Sequence, residues 1–527
     1  MAARTRSEYD NSRPFDVHKW SDYPEVDKAV DHIYGEIVAL GNIQRQNQPK
    51  TKKYIKVLTL DLYVAHVADS TQYIGYPRNH NELKNNRYNA LFIKTDLLAK
   101  IIDWFIALGY VTNKLGHYFV ASKRQSRVRA TDKLISLIKD EFKVSPLMIR
   151  QHEDMETVCL RDDKKKKIEY DDTPETNLMR KKLRYINDLL DKTLINLYLP
   201  DAELNKLMHR MVTGEVESEI EHEEPRGAID FNRRWLFRVF NNGTFDQGGR
   251  FYGGWWQGIP KEYRKFIKIN HNLTVEVDFS GMHINLLYWL KGLDMPFDCP
   301  YHLEGFPEGT RDFVKKSLLT MINSVDRKSA MRSIQLQISG FNLKKKVEEK
   351  KKKLKVPKGI DRIEDIIEAF EAKHEAIKEY LFSGKGVFLQ KWDSMIAEEI
   401  MLTLASNGIP ALPLHDSFIV SHPQERALKM VMLQAYTKVT GRIAKIDNKT
   451  SIIDENRRRP EAELRKEQDW KVQGLTLSEE IKRQYSKYYE NCLEWKEVTE
   501  NYNLFTFNRQ RLFNKEVYGE IPIFSTH

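Results

Sequence analysis

Two apolar segments of this chain each end by delivering an aspartate. The first, Leu273-Thr274-Val275-Glu276-Val277-Asp278-Phe279-Ser280, alternates like a strand and closes on Asp278. The second runs Ile409-Pro410-Ala411-Leu412-Pro413-Leu414, turns through His415-Asp416-Ser417-Phe418 and leaves as Ile419-Val420, so Asp416 stands at the tip of a tight hairpin. Metal-dependent nucleotide transfer uses such a pair, because two ions about 4 Å apart need carboxylates from separate segments. Glu276 shares a strand face with Asp278 and reads as structural rather than as a third ligand. His415 has no cysteine or second histidine at zinc spacing, and so reads as a hydrogen-bonding group that positions the metal site or a primer terminus.

Other groups of the right type lie before and between the aspartates. Arg311 and Lys315 are four residues apart, which puts them on one helix face, where both can reach a triphosphate; an ordinary surface pair has the same spacing. In Asp246-Gln247-Gly248-Gly249-Arg250-Phe251-Tyr252 the glycines permit close backbone approach and Arg250 offers a forked donor to phosphate. Trp255 and Trp256 follow, more consistent with core filling than with base stacking, and then Gln257-Gly258-Ile259-Pro260. An apolar helix over 282–290 would hold Asp278 rigid, and a second over 390–406 would precede the hairpin.

Taken in order, the segments 246–252, 277–283, 311–320 and 414–418 resemble the polymerase superfamily that contains family A DNA polymerases and single-subunit, phage-type RNA polymerases. The resemblance spans 230–435, a little under half of the chain. It implies an α+β right-hand fold, a palm of antiparallel sheet with helical fingers. Asp278 and Asp416 match the aspartates that hold two Mg2+ ions, for which Mn2+ can substitute, and Arg311 and Lys315 match the nucleotide-binding fingers helix. Asp246, Gly249, Arg250, Gln257, Gln390 and His415 match template or primer contacts; Asp393 and Ser394 are weaker candidates on the same helix as Gln390. Family members carry an aromatic residue and then glycine one turn further along the fingers helix, whereas this chain has Asn323-Ser324. His283 stands five residues after Asp278, where the DNA enzymes place a bulky glutamate and the RNA enzymes a small residue. That register favours deoxynucleotides, while the fingers segment and His-Asp-Ser-Phe look closer to the RNA enzymes; the sugar choice rests on His283 and Asn323.

The surroundings divide into an N-terminal arm (1–50), a module (51–150), a helical connector with an acidic linker (151–225), palm and fingers (226–440) and a C-terminal helical tail (441–527). Within the arm a helix is expected over 26–40. A helix over 89–108 stopped by Gly109, short strands at 110–112 and 117–120, and a basic stretch over 123–131 resemble a winged-helix module that binds nucleic acid; an α+β packing unit with a solvated basic loop fits equally well. A helix over 175–197 is expected, with Leu178, Leu183, Ile186, Leu189, Leu190, Leu194 and Leu197 buried. The acidic segment 214–225 reads as a linker, and the lysine-rich run 344–355 as a solvated loop or a phosphate-tracking element.

Over 527 residues the charged fraction is 30% and the formal charge +10, which suits a soluble protein with an anionic partner. Three scattered cysteines make neither a disulfide framework nor a zinc site, and no stretch of about 18 apolar residues suggests a membrane span. A cytoplasmic or nucleoid-associated location is expected. Asp61-Leu62-Tyr63 lacks the acidic partners of a proofreading exonuclease. The reading that joins these features is a template-directed polymerase acting on DNA template and primer with nucleoside triphosphates, serving a plasmid, phage or mobile element, with DNA synthesis favoured. A single-subunit RNA polymerase or primase-like enzyme, and a non-catalytic DNA-binding replication initiator, are the alternatives; oligomeric state is not legible.

Overall fold

The structure, a computed structural model, describes residues 11–41, 48–78, 83, 86–119, 122–213, 228–307, 309–342, 347–348 and 354–449. The acidic segment 214–225, most of the lysine-rich run 344–355 and the tail beyond 449 lie outside the described residues. The fold is mixed α+β with several sheets. No described helix is long and apolar enough to cross a membrane.

The sheet that carries both aspartates is antiparallel, in the order Ile195–Leu197, Ile267–Ile269, Asn272–Phe279, Ser417–Ser421, Leu412–Leu414, with Ile446–Asn448 also paired to Asn272–Phe279. Alternation in the middle strand works as expected: Val275, Val277 and Phe279 are buried in the core. Each such side chain stabilises the sheet by about 1.5–3 kcal/mol. The other face is covered as well, since Thr274 and Glu276 are also buried. The helices Met282–Leu290, Gly386–Ser406 and Glu425–Thr440 share this core, and the first begins directly after Asp278's strand through Gly281 at φ +68°.

A second sheet, Gly248–Tyr252, Phe237–Phe240 and Val158–Leu160, packs against the long helix Gly386–Ser406. Gly249 makes that approach possible, and Gly248 fits the strand pair beside it. A Cβ on Gly249 would lie 2.8 Å from both the Phe240 ring and Ser394 Oγ, and one on Gly248 2.9 Å from the Val239 carbonyl. Both have φ near +85°, where a side chain is strained.

The N-terminal residues build a unit with its own core around the helices Pro24–Ala39, Gln48–Ala68 and Thr95–Ala107. Its sheet runs Ser12–Pro14, Tyr73–Tyr76, Ser126–Ala130, Val111–Lys114. Strand 12–14 and the first helix therefore belong to this unit, within what reads in sequence as an arm. Gly109, at φ +72°, ends the third helix as expected, but that helix starts at Thr95 rather than near 89. The basic stretch is not a loop: Ser126, Val128 and Ala130 are buried while Arg127 and Arg129 point outward, the period of a strand. The hairpin is accordingly longer than its sequence suggests, with His117–Phe119 paired to Ser122–Arg124 at the far end.

The helix expected over 175–197 ends at Asp191, and Ile195–Leu197 is a strand of the aspartate-bearing sheet. Pairing with Ile267–Ile269 overrides the helical spacing of Leu194 and Leu197. Leu178 is 46% exposed, outside the buried stripe of the shortened helix.

Candidate active site

Asp278 pairs in register with Ser417, and the Phe279 N–H donates to the carbonyl of Asp416 at 3.3 Å. Neighbouring strands thus bring the two aspartates to the same end of the sheet. His415, with φ +62°, is the first of the two loop residues joining Leu414 to its partner Ser417. Positive φ at that position alone is the pattern of a type II′ hairpin turn, which glycine usually supplies; histidine there is strained. Burial, then the negative charge of Asp416, pushes the Asp278 carboxyl up to about 7, opposed by Lys449 and Lys315. Asp278 Oδ2 accepts from Lys449 Nζ at 2.9 Å, while its Oδ1 is buried with no hydrogen-bond partner among the described residues.

Lys315, on the helix Thr310–Asn323, lies 6.0 Å from the centre of the Tyr301 ring. Burial and the charges of Asp416 and Asp278 push the Tyr301 phenol up, and Arg311 opposes them. Tyr301 therefore stands among the two carboxylates and the two cations of that helix. Arg311 is half exposed and donates to Cys299 Sγ at 3.4 Å and to Asp312 at 3.3 Å. Asn323 sits at the helix's last turn, donating to the Leu319 carbonyl at 2.8 Å, with its side chain over Gly386. A Cβ on Gly386 would clash with it, so this asparagine joins two helices, and no hydrogen bond among the described residues ties it to the carboxylates.

Arg250 reaches the same region but turns its fork inward. Its Nε donates to both oxygens of Asp393, at 3.2 and 3.0 Å, and Nη2 donates to Asp393 as well. Both side chains are buried, so the phosphate contact expected of Arg250 is replaced by a bidentate ion pair. His283 Nε2 lies 3.1 Å from Arg250 Nη2 and 3.3 Å from Asp393 Oδ2, which locks the ring. Burial foremost, and then Arg250, drives the His415 imidazole down to about 4, so it is neutral at physiological pH. The Tyr252 ring meets it edge-on at 5.9 Å.

The remaining expected contacts are spread around this cluster. The Gln257 amide is saturated, donating to the carbonyls of Phe251 and Pro413 at 3.0 Å and accepting from the Gly253 N–H, so it pins the hairpin rather than facing a template. Gln390 and Ser394 are buried on the long helix. Asp246 is exposed and paired with Lys391. Trp255 and Trp256 are buried, as expected. Glu276 accepts from Ser417 Oγ at 2.9 Å and lies 3.8 Å from Arg264, a structural carboxylate. Asp61 is likewise structural, paired with Arg13 at 2.6 Å.

No family model matches this chain, and no curated protein matches its sequence. What the site can hold is decided by its own donors. Two carboxylates of which one oxygen is left without a partner suit Mg2+, which takes one or two protein carboxylates and completes its shell with water and phosphate. No cluster of three or more His, Cys, Asp or Glu side chains converges among the described residues.

Three residues central to this cluster carry little or no sequence signal. Lys449 lies in a polar stretch and reaches the site because 446–448 joins the sheet and the Lys449 N–H donates to the Glu276 carbonyl at 2.9 Å. Tyr301 follows Cys299-Pro300 in a loop with no periodicity. Asp393, a weaker candidate in the sequence, is distinguished by its burial on the long helix.

Proposed function

We propose that the chain is a template-directed nucleic-acid polymerase, with DNA synthesis favoured, whose nucleotidyl transfer depends on Mg2+ held by Asp278 and Asp416. The observation that carries this reading is the pairing of the two aspartates on adjacent antiparallel strands, close enough for the charge of one to raise the carboxyl of the other. Bound there, Mg2+ supplies activation of a primer 3′-hydroxyl and neutralisation of the triphosphate and leaving pyrophosphate. Arg311 and Lys315, one turn apart and on the side of Tyr301, bind and orient the triphosphate. Neutral His415 sits at the hairpin tip as a hydrogen-bonding group for the primer end. His283, held by Arg250 and Asp393, is a bulky side chain that does not swing away, which supports exclusion of a ribose 2′-hydroxyl. The antiparallel sheet supports a palm and the helix Thr310–Asn323 a fingers element. In the N-terminal unit, the order 73–76, 126–130, 111–114 beside the helix Thr95–Ala107 supports a winged-helix-like module.

One observation favours a second reading, a nucleic-acid-binding initiator without catalysis. Lys449 places an ammonium 2.9 Å from Asp278 and 3.5 Å from Glu276, where it already neutralises the carboxylates. Purified protein with Mg2+ and a primed template, given dNTPs or NTPs, separates the readings. Extension with dNTPs is expected; extension with NTPs alone moves the product to RNA, and none with either set leaves the initiator.

A further inference from the structure

A cleft of about 730 Å³ separates the N-terminal unit from the sheet containing Phe237–Phe240. Trp235 and Phe237 line it, two residues apart and so on one face, with ring centres 5.4 Å apart and planes 37° apart. Phe237 is the register partner of Tyr252, whose ring lies 6.4 Å away at 35°. Tyr252 in turn meets His415 at 5.9 Å. Trp235, Phe237 and Tyr252 are only half buried, unlike Trp256 and Phe240 in the core nearby. A row of accessible rings therefore leads from the cleft to the residue beside Asp416. Gly253 keeps its floor low: at φ +123°, its Cβ would meet the Trp235 carbonyl at 2.7 Å and the Phe237 ring at 3.1 Å.

The charge available in the cleft is positive. Arg161, Lys167 and Arg233 line it, and among the described residues none of the three is in an ion pair with a carboxylate. The acidic residues that line it are already engaged: Asp16 with His18 and Lys19, Glu156 with Arg87 and Arg180, and Asp230 with Lys19. Half-buried rings beside cations that no carboxylate neutralises among the described residues, Lys167 lying over the Tyr88 ring at 5.1 Å, are the recognition chemistry of unpaired bases on a phosphate backbone. A duplex keeps its bases stacked on one another and cannot use the rings.

We infer that this cleft binds single-stranded nucleic acid, its bases stacked on Trp235 and Phe237 and its phosphates on Arg161, Lys167 and Arg233. That the bound strand is the template travelling along the ring row to Asp416 rests on the polymerase reading; strand binding itself does not.

The test is fluorescence anisotropy of a labelled oligothymidine of about 12 nucleotides with the full chain. Trp235→Ala is expected to weaken binding about tenfold, and Trp235→Phe, which keeps a ring, to restore most of it. Arg161→Gln with Arg233→Gln should lower the slope of log affinity against log salt by about 1.4, two lost single-strand phosphate contacts. Unchanged affinity in folded Trp235→Ala together with an unchanged salt slope overturns the site, as does equal affinity for a duplex of the same length. Wild-type protein that binds the strand yet extends no primer, with these losses in the variants, sustains the cleft and removes the polymerase reading. Extension that persists while the cleft variants bind normally does the reverse.

Discussion

At the scale of single residues, the site is built from charges that the fold makes costly. Asp278 is the clearest case. Its carboxyl is held up to about 7 by burial and by Asp416, above an unfolded value of about 4. Between those values the folded chain keeps a proton that the unfolded chain has released, so this group's contribution to stability falls as pH rises through the window. Asp278→Asn removes that slope. Its melting temperature relative to wild type should therefore be higher at about pH 8 than at about pH 4.5, and a pH-independent difference would contradict the assignment. Arg250 and Asp393 carry the opposite risk, since each neutralises the other where neither has water. Arg250→Ala leaves the buried Asp393 carboxylate with only His283 beside it and should cost about 3–5 kcal/mol in urea unfolding. Combining it with Asp393→Leu should recover much of that loss, and strictly additive losses would show that the pair is not coupled.

At the scale of elements, what was legible in the sequence was what is local. The strand ending at Asp278, the helix after it and the hairpin around Asp416 each announce themselves by spacing, because alternation and the 3.6 period need only neighbouring residues. The strand 195–197 did not, because it exists only through its pairing with 267–269. The inward turn of Arg250 was hidden for the same reason: nothing in Gly249-Arg250 shows that Asp393, on a helix far along the chain, arrives beside it. The glycines before it were noticed for approach to a template; Gly249 also lies against Ser394 of that helix. Gly249→Ala combines a left-handed backbone with contacts at 2.8 Å and should destabilise by about 2–4 kcal/mol. Urea midpoints check this; a neutral result would mean that the long helix and the strand are less closely packed.

At the scale of the whole molecule, two cores meet along a seam of mixed character, with Val64 and Val67 lining a small cavity together with Leu194 and Ile195. The N-terminal unit contributes Lys19, almost fully buried, which reaches Asp230 at 3.3 Å, and the cleft opens beside this contact. The arrangement sets an outward-facing basic strand, a cationic cleft and a carboxylate pair in one chain, consistent with a net charge of +10 and an anionic polymer as partner. The proposed chemistry depends on Asp278 and Asp416 acting together. Single-nucleotide extension of a primed template in Mg2+ by wild type, Asp278→Asn and Asp416→Asn measures that directly. Extension by wild type and a loss of about 10³-fold or more in each variant are expected if these carboxylates hold the metal. Extension at wild-type rates in both variants would contradict that role.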